Sequence, residues 1–226
     1  MSINSPIKAV NTGLVVCLDA GNVKSYVGSG TAWNDLTKNG RNGTLTNGPT
    51  FSGANGGTIV FDGTNDYVSV TPMYNFATSN ELTTIIWAKS AVSTWNEYGF
   101  LLSKRDQFVI HPNISGRSVG YYVNTTTGGW QAATITPNDI TIFNHYAMTF
   151  TGGTVYAYLN GVLLATNGSA GSTLSSDTGD MYIGWDDGIS GRYLNGSVGL
   201  VMAYNRALSS DEILRDYNST KTRYGL

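Results

Sequence analysis

An alternation of apolar and polar residues with a period of two constrains this chain more than any other feature. Ile59 and Phe61 share one side of a first segment, and Val68 and Val70 share one side of the next. Between them, Asp62-Gly63 is typical of a tight reversal. The pattern predicts two strands that form a hairpin. Because an isolated hairpin cannot bury its apolar face, it also predicts a second sheet packed against it.

The same alternation recurs along most of the chain. Residues 142–150 and 154–159 are a second predicted hairpin, and Asn160-Gly161 makes a two-residue turn into residues 162–165. The other predicted strands are residues 13–20, 43–46, 82–89, 98–103, 107–111, 118–124, 181–185 and 197–204. Many short strands separated by Gly and Asn turns predict an all-β fold of two packed antiparallel sheets.

One helix is predicted, at the C-terminal end of the chain. Ser209 has the position of an N-cap, and Glu212, three residues later, completes a capping box. Leu208 and Ile213 can form a hydrophobic staple around this cap. We expect the helix to end near Asn218 and to lie over one end of the sandwich.

The composition narrows the classes of function. Only 12% of the 226 residues are charged and the net charge is −2, which argues against nucleic acid as a partner. No stretch is long and apolar enough to predict a membrane span or a secretory signal. Residues 1–12 are polar and predict a flexible N-terminal arm, and residues 13–226 predict a single domain. Cys17, the only cysteine, lies in an apolar run and is expected to be buried.

Several stretches together resemble one family of β-sandwich domains. They are residues 13–22, 39–45, 61–68, 154–161 and 204–209, and residues 61–68 match the central signature of that family. The chain resembles the laminin-G-like branch of the concanavalin A-like lectin/glucanase superfamily. The resemblance implies a two-sheet antiparallel jelly-roll β-sandwich with one short C-terminal helix.

The opening segment and the tail, residues 216–226, also resemble single-domain structural proteins of tailed bacteriophages. That resemblance implies a location in the virion and a non-enzymatic role as a capsid decoration, cement or fibre component. The partners would be other capsid or tail proteins and further copies of this chain, and the protein could contact polysaccharides of the host surface. The alternative is a carbohydrate-binding, lectin-like adhesion module, and the second alternative is a glycoside hydrolase.

Hydrolysis of a glycosidic bond requires two carboxylates placed across that bond. The three glutamates, at positions 81, 97 and 212, do not form the Glu-x-Asp-x-x-Glu spacing of the glucanase branch. The Asp62/Asp66 and Asp186/Asp187 pairs lie in predicted turns, where aspartate binds backbone N–H groups. The sequence therefore favours a protein that is not an enzyme and predicts no catalytic residue.

The resemblance also implies a structural calcium ion between an N-terminal strand and the last strand. Asp19 could supply a ligand at the first position, but residues 196–201 contain no carboxylate. A loop site formed by Asp186 and Asp187 is the alternative. Calcium is thus the one cofactor that the sequence suggests.

Sugar binding requires exposed aromatic rings with polar groups beside them. Trp95 with Asn96, and Trp130 with Gln131, lie in polar, turn-like surroundings where exposure is expected. Tyr122 follows Tyr121 on a predicted strand, so the two rings must point to opposite faces. The competing interpretation is that these rings pack against neighbouring loops or another subunit.

Overall fold

A computed structural model describes residues 10–112, 116–187, 189 and 191–226. The predicted N-terminal arm therefore lies outside the described residues over positions 1–9. Within the described residues, no helix is long and apolar enough to cross a membrane.

The described part of the chain contains sixteen β-strands and one α-helix. The strands are β1 (Leu14–Asp19), β2 (Ala32–Trp33), β3 (Asn42–Thr46), β4 (Thr50–Ser52), β5 (Thr58–Asp62), β6 (Tyr67–Thr71), β7 (Leu82–Ser90), β8 (Leu102–Lys104), β9 (Phe108–Pro112), β10 (Val119–Thr125), β11 (Gly129–Ile135), β12 (Asn144–Thr151), β13 (Thr154–Leu159), β14 (Val162–Asn167), β15 (Met181–Ile183) and β16 (Asn195–Tyr204). The helix α1 (Ser210–Thr220) runs into a 3₁₀ turn at Lys221–Tyr224, and two further 3₁₀ turns lie at Ala54–Gly56 and Phe76–Thr78.

The strands form two antiparallel sheets of eight strands each. The first sheet has the order β14-β13-β12-β7-β16-β5-β4, with β1 paired to β16 beside β5. The second sheet has the order β11-β10-β9-β8-β15-β6-β3-β2. The predicted antiparallel β-sandwich is confirmed, with the main core between the two sheets.

The two segments around Asp62-Gly63 do not form the predicted hairpin. β5 pairs with β16 and β4 in the first sheet, whereas β6 pairs with β15 and β3 in the second. The connection is an arch between sheets, in which the Asp66 carboxylate accepts a hydrogen bond of 3.1 Å from the Asp62 N–H. The turn residues correctly predicted that the chain reverses at Asp62-Gly63. The strands with which β5 and β6 pair are set by residues far away in the sequence.

The prediction for residues 142–165 is confirmed. β12, β13 and β14 are consecutive antiparallel strands. Asn160 and Gly161 have φ values of 52° and 82°, the paired positive angles that a type I′ turn requires.

Other strands also differ from prediction: β2 and β4 were not predicted, and the strand predicted over residues 181–185 ends at Ile183. Only Leu102–Lys104 of the region from residue 98 is a strand, since Tyr98 has a positive φ of 50° and cannot extend one. Gly129 also has a positive φ, and β11 begins there as an edge strand that the sequence did not predict.

The C-terminal helix covers the outer face of the first sheet, not one end of the sandwich as predicted. Its capping box between Ser209 and Glu212 is confirmed. Outward-facing side chains of β1, β7, β12 and β16 pack with the C-terminal segment into an outer cluster, in which Tyr224 stacks on Trp87 at 4.2 Å. The indole Nε1–H of Trp87 donates to Thr220 Oγ1 at 2.9 Å. The first sheet is consequently buried on both faces.

Tyr224 tests how the outer cluster contributes to stability. Its ring is 4% exposed, and its hydroxyl is buried with no hydrogen-bond partner among the described residues. We expect Tyr224→Ala to lower the free energy of unfolding by about 3–5 kcal/mol, because it removes a buried aromatic ring. Tyr224→Phe should not lower it, because it removes a buried hydroxyl that makes no hydrogen bond there. Urea denaturation measures both, and equal losses for the two variants would contradict this account.

Candidate functional site

A groove of about 450 Å³ opens on the outer face of the second sheet, the face that points away from the core. Tyr122 of β10 lies opposite Val109 of β9, and both point outward because Tyr121 and Ile110 beside them enter the core. We call this groove the aromatic groove. It is lined by Tyr98, Phe100, Arg105, Val109, His111, Tyr122, Trp130 and Arg192.

A stack of rings forms the floor of the aromatic groove. The Tyr122 ring lies parallel to His111, with centroids 4.8 Å apart and an interplanar angle of 6°. Phe100 packs against His111 at 4.5 Å. Trp130 stands at the margin of the groove on the edge strand β11, with 39% of its surface exposed. Phe100 and His111 are buried, Tyr122 is half-buried and Trp130 is exposed, so Trp130 and part of Tyr122 are the ring surfaces of the groove that solvent reaches.

His111 belongs to this stack as a neutral ring. Burial lowers the pKa of His111 below its usual value, and the nearby Arg192 and Arg105 charges lower it further. Its Nδ1 lies 2.6 Å from the carbonyl oxygen of Pro112. Because a carbonyl can only accept, Nδ1 carries the proton.

Arg192 closes one side of the groove. Its guanidinium lies over the Tyr98 ring at 4.3 Å and approaches the Phe100 ring at 5.9 Å, which are cation–π contacts. Tyr98 holds this position with φ of 50°, a left-handed conformation that is uncommon outside glycine and is found disproportionately at functional sites.

Arg105 reaches the groove while paired with a buried carboxylate. It forms an ion pair and hydrogen bond with Asp186, whose side chain is fully buried, whereas 40% of the Arg105 side chain is exposed. Burial raises the pKa of Asp186 to about 6, against the opposing effect of Arg105. The arginine therefore compensates a charge that burial disfavours.

The structure brings Trp130 and Tyr122 of the predicted sugar-binding residues together and separates the others. Trp95 is only 2% exposed and belongs to the main core, so the expectation of an exposed ring is wrong. Its backbone N–H donates to the carbonyl oxygen of Gly116 at 2.8 Å, which ties its loop to the body. A polar sequence neighbourhood does not reveal such a distant contact.

Asn96 and Gln131 have structural hydrogen bonds outside the groove lining. The Asn96 amide donates to the Tyr193 carbonyl and accepts from the Asn195 N–H, which fixes its loop next to the segment that carries Arg192. The Gln131 amide donates to the carbonyl oxygen of Gly128 at 3.0 Å. Asn96 thus contributes by positioning rather than by lining the groove.

Most residues of the groove carry no local signal in the sequence. Tyr98, Phe100, Arg105 and Arg192 come from loops or short elements that no local pattern joins to β10. His111 could have been found, because its position on β9 has the same outward parity as Val109, which lies opposite Tyr122.

The residues that the sequence suggested for calcium do not fit such a site. The Asp19 carboxylate forms a 2.6 Å ion pair with Arg223 and accepts the Gly21 N–H, and Asp186 is paired with Arg105. Asp187 is exposed, and the described residues contain no group of three or more acidic, His or Cys side chains suited to a metal. The guanidinium groups of Arg223 and Arg105 thus occupy the positions beside Asp19 and Asp186 that a calcium ion would take. A bound calcium ion stays a prediction from the sequence.

The fold and the groove together define a jelly-roll domain with a solvent-open aromatic site on one sheet. A laminin-G-type family model described as "Concanavalin A-like lectin/glucanases superfamily" matches residues 62–214, more than half of the chain. The chain therefore belongs to this superfamily. No curated protein shows a significant sequence match to it.

Solved structures with the same fold include binding domains of bacterial toxins. The binding domain of Paraclostridial Mosquitocidal Protein 1 has a TM-score of 0.68 at 15% identity, covering 92% of this chain and 52% of that one. The botulinum neurotoxin serotype D binding domain has a TM-score of 0.68 at 10% identity, covering 91% and 51%. The binding domain of botulinum neurotoxin DC in complex with SialylT has a TM-score of 0.70 at 10% identity, covering 92% and 52%. This chain thus spans about half the length of these structures.

The Arg105–Asp186 pair gives a test of how the groove wall is held. At pH 7, Arg105→Gln should lower the free energy of unfolding by about 1–3 kcal/mol, because it leaves a buried carboxylate without its partner. Adding Asp186→Asn should restore most of the loss, because the neutral amide does not require a cation. Urea denaturation of the single and double variants checks this, and a double variant no more stable than Arg105→Gln would contradict the pairing.

The arginine pairs also give an expectation for calcium. Because Asp19 and Asp186 are already neutralised, we expect neither excess calcium nor a chelator to shift the thermal unfolding midpoint. Differential scanning calorimetry measures this, and an upward shift that grows with calcium concentration would restore the predicted site.

Proposed function

We propose that this chain is a carbohydrate-binding, lectin-like module and that the aromatic groove is its binding site. The observation that carries the proposal is the Tyr122–His111 stack, with the exposed Trp130 ring at its margin. Flat aromatic surfaces suit the C–H faces of sugar rings, and convergent polar groups beside them suit the hydroxyls. Arg105 and Arg192 supply N–H donors at this position.

The dimensions and lining of the groove favour binding over hydrolysis. A volume of about 450 Å³ is in the range of small-molecule sites. The described residues that line it include no Asp or Glu, whereas glycoside hydrolysis uses two carboxylates across the scissile bond. The described geometry therefore supports recognition of a sugar without chemical change.

The comparisons support the same proposal at the level of fold. The neighbours are binding domains, and one of them is in complex with a ligand named SialylT. Fold similarity at such low identity does not transfer a ligand, so the proposal depends on the groove itself. The virion role, the partners in capsid or tail and the homo-oligomer stay predictions of the sequence resemblance, and the groove favours the lectin-like alternative.

Trp130 is the residue with which to test the proposal. A glycan array identifies the sugars that the wild-type protein binds, and calorimetric titration of the best one gives the affinity. We expect Trp130→Ala to weaken that affinity at least about tenfold, because truncating a tryptophan that contacts the ligand typically costs about 2 kcal/mol.

Phe51→Ala is the matched control. Phe51 is 37% exposed, close to the 39% of Trp130, but it lies on β4 at an edge of the first sheet. The control should bind like wild type. A silent array, or undiminished binding by Trp130→Ala, would overturn the proposal.

A further inference from the structure

The aromatic groove carries an excess of positive charge. Among the residues that the structure describes, its lining contains two guanidinium groups and no carboxylate. Arg105 is compensated by Asp186, but among the described residues Arg192 has no carboxylate within ion-pair distance. His111 lies between the rings and is held neutral. The Arg192 charge also lowers the pKa of Asp186, but Asp186 forms its ion pair with Arg105, so Arg192 is the guanidinium of the lining without an ion pair among the described residues.

Arg192 is held in place from several sides. Its carbonyl oxygen accepts the Phe100 N–H at 3.4 Å, and its guanidinium rests on the Tyr98 ring. The next residue, Tyr193, stacks on Trp185 at 5.8 Å with an interplanar angle of 12°, and its carbonyl accepts the Asn96 amide. A guanidinium fixed in this way loses little conformational entropy when it binds a ligand.

We propose that the aromatic groove selects sugars that carry an anionic group, a carboxylate or a sulfate, and that Arg192 binds that group. This inference rests on the proposed function and names the class of sugar. The ring of the sugar would lie on the Tyr122–His111 stack, and its charged group would face the planar fork of Arg192.

The chemistry of Arg192 suits this class of ligand. A guanidinium presents parallel N–H donors that match two oxygens of a carboxylate or sulfate, and such charge-assisted pairs are stronger than neutral hydrogen bonds. The surrounding rings exclude water from one side of the pair, which strengthens its electrostatic attraction. A neutral sugar would make no ion pair with Arg192. The affinity of the groove should therefore be measurably higher for an anionic sugar than for a neutral one.

Pairs of sugars that differ in an anionic group separate the contribution of charge to the affinity from the contribution of ring stacking. Calorimetric titration would compare sialyllactose and sulfated lactose with lactose, and cellobiuronic acid with cellobiose. We expect at least one acidic probe to bind about tenfold or more tightly than its neutral counterpart, since hydrogen bonds to charged groups typically contribute about 1.5–3 kcal/mol. The sulfated and carboxylated probes distinguish the two sources of the anionic group. The preference should shrink as salt is added, because the site is partly open to solvent.

Three variants assign the preference to Arg192. Arg192→Gln should bring the acidic probe to the affinity of its neutral counterpart, and Arg192→Lys should keep part of the preference, because it retains the charge but loses the planar fork. Trp130→Ala should weaken acidic and neutral probes alike and leave their ratio unchanged. Arg215→Gln, an exposed arginine on α1 at the other side of the molecule, is the control for net charge and should bind like wild type.

The outcomes separate this inference from the proposed function. Neutral probes bound as tightly as their acidic counterparts would overturn the selectivity and leave a lectin-like module in place. A preference that survives in both Arg192 variants, with unfolding midpoints equal to wild type, would overturn the role of Arg192. If no sugar on the array or in the titrations binds, both the inference and the proposed function are overturned.

Discussion

Burial of the first sheet on both of its faces is the constraint on which the rest of the molecule depends. The central strands β7, β12 and β16 are buried almost throughout, because successive side chains face the second sheet and the C-terminal segment in turn, as Ile86 and Trp87 do on β7. The helix and its 3₁₀ turn therefore act as a third layer. In the described part of the chain no helix covers the outer face of the second sheet in this way, and the aromatic groove forms there.

The groove depends on contacts between loops more than on the strands beneath it. β9 and β10 place His111 and Tyr122 in line, but the wall is formed by the loop at residues 95–100 and the segment that carries Arg192. The Asn96 amide joins these two segments to each other. Specificity in such an arrangement can differ between proteins of the same fold, which is why fold similarity alone says little about the ligand.

The sequence predicted what local chemistry decides and missed what distant partners decide. Asn160-Gly161 and the Ser209 capping box were correct, because each structure is specified within a few residues. The turn at Asp62-Gly63 looked like a hairpin, because its local signals do not say whether the chain returns to the same sheet or crosses to the other. Trp95 and Trp130 have similar polar neighbours, yet only distant packing makes one a core residue and leaves the other at the groove.

Arginine also balances two of the carboxylates that the sequence suggested as calcium ligands. The carboxylate of Asp19 is balanced by Arg223 from the last turn of the chain, and that of Asp186 by Arg105 from the loop after β8. These cations are covalently part of the protein, so they are present at fixed positions whatever the solution contains. The same use of guanidinium groups extends to the groove, where Arg192 rests on Tyr98 instead of a carboxylate. An arginine placed on a ring keeps its N–H edge available, and that edge is the feature of this domain that suits the proposed recognition of an anionic sugar.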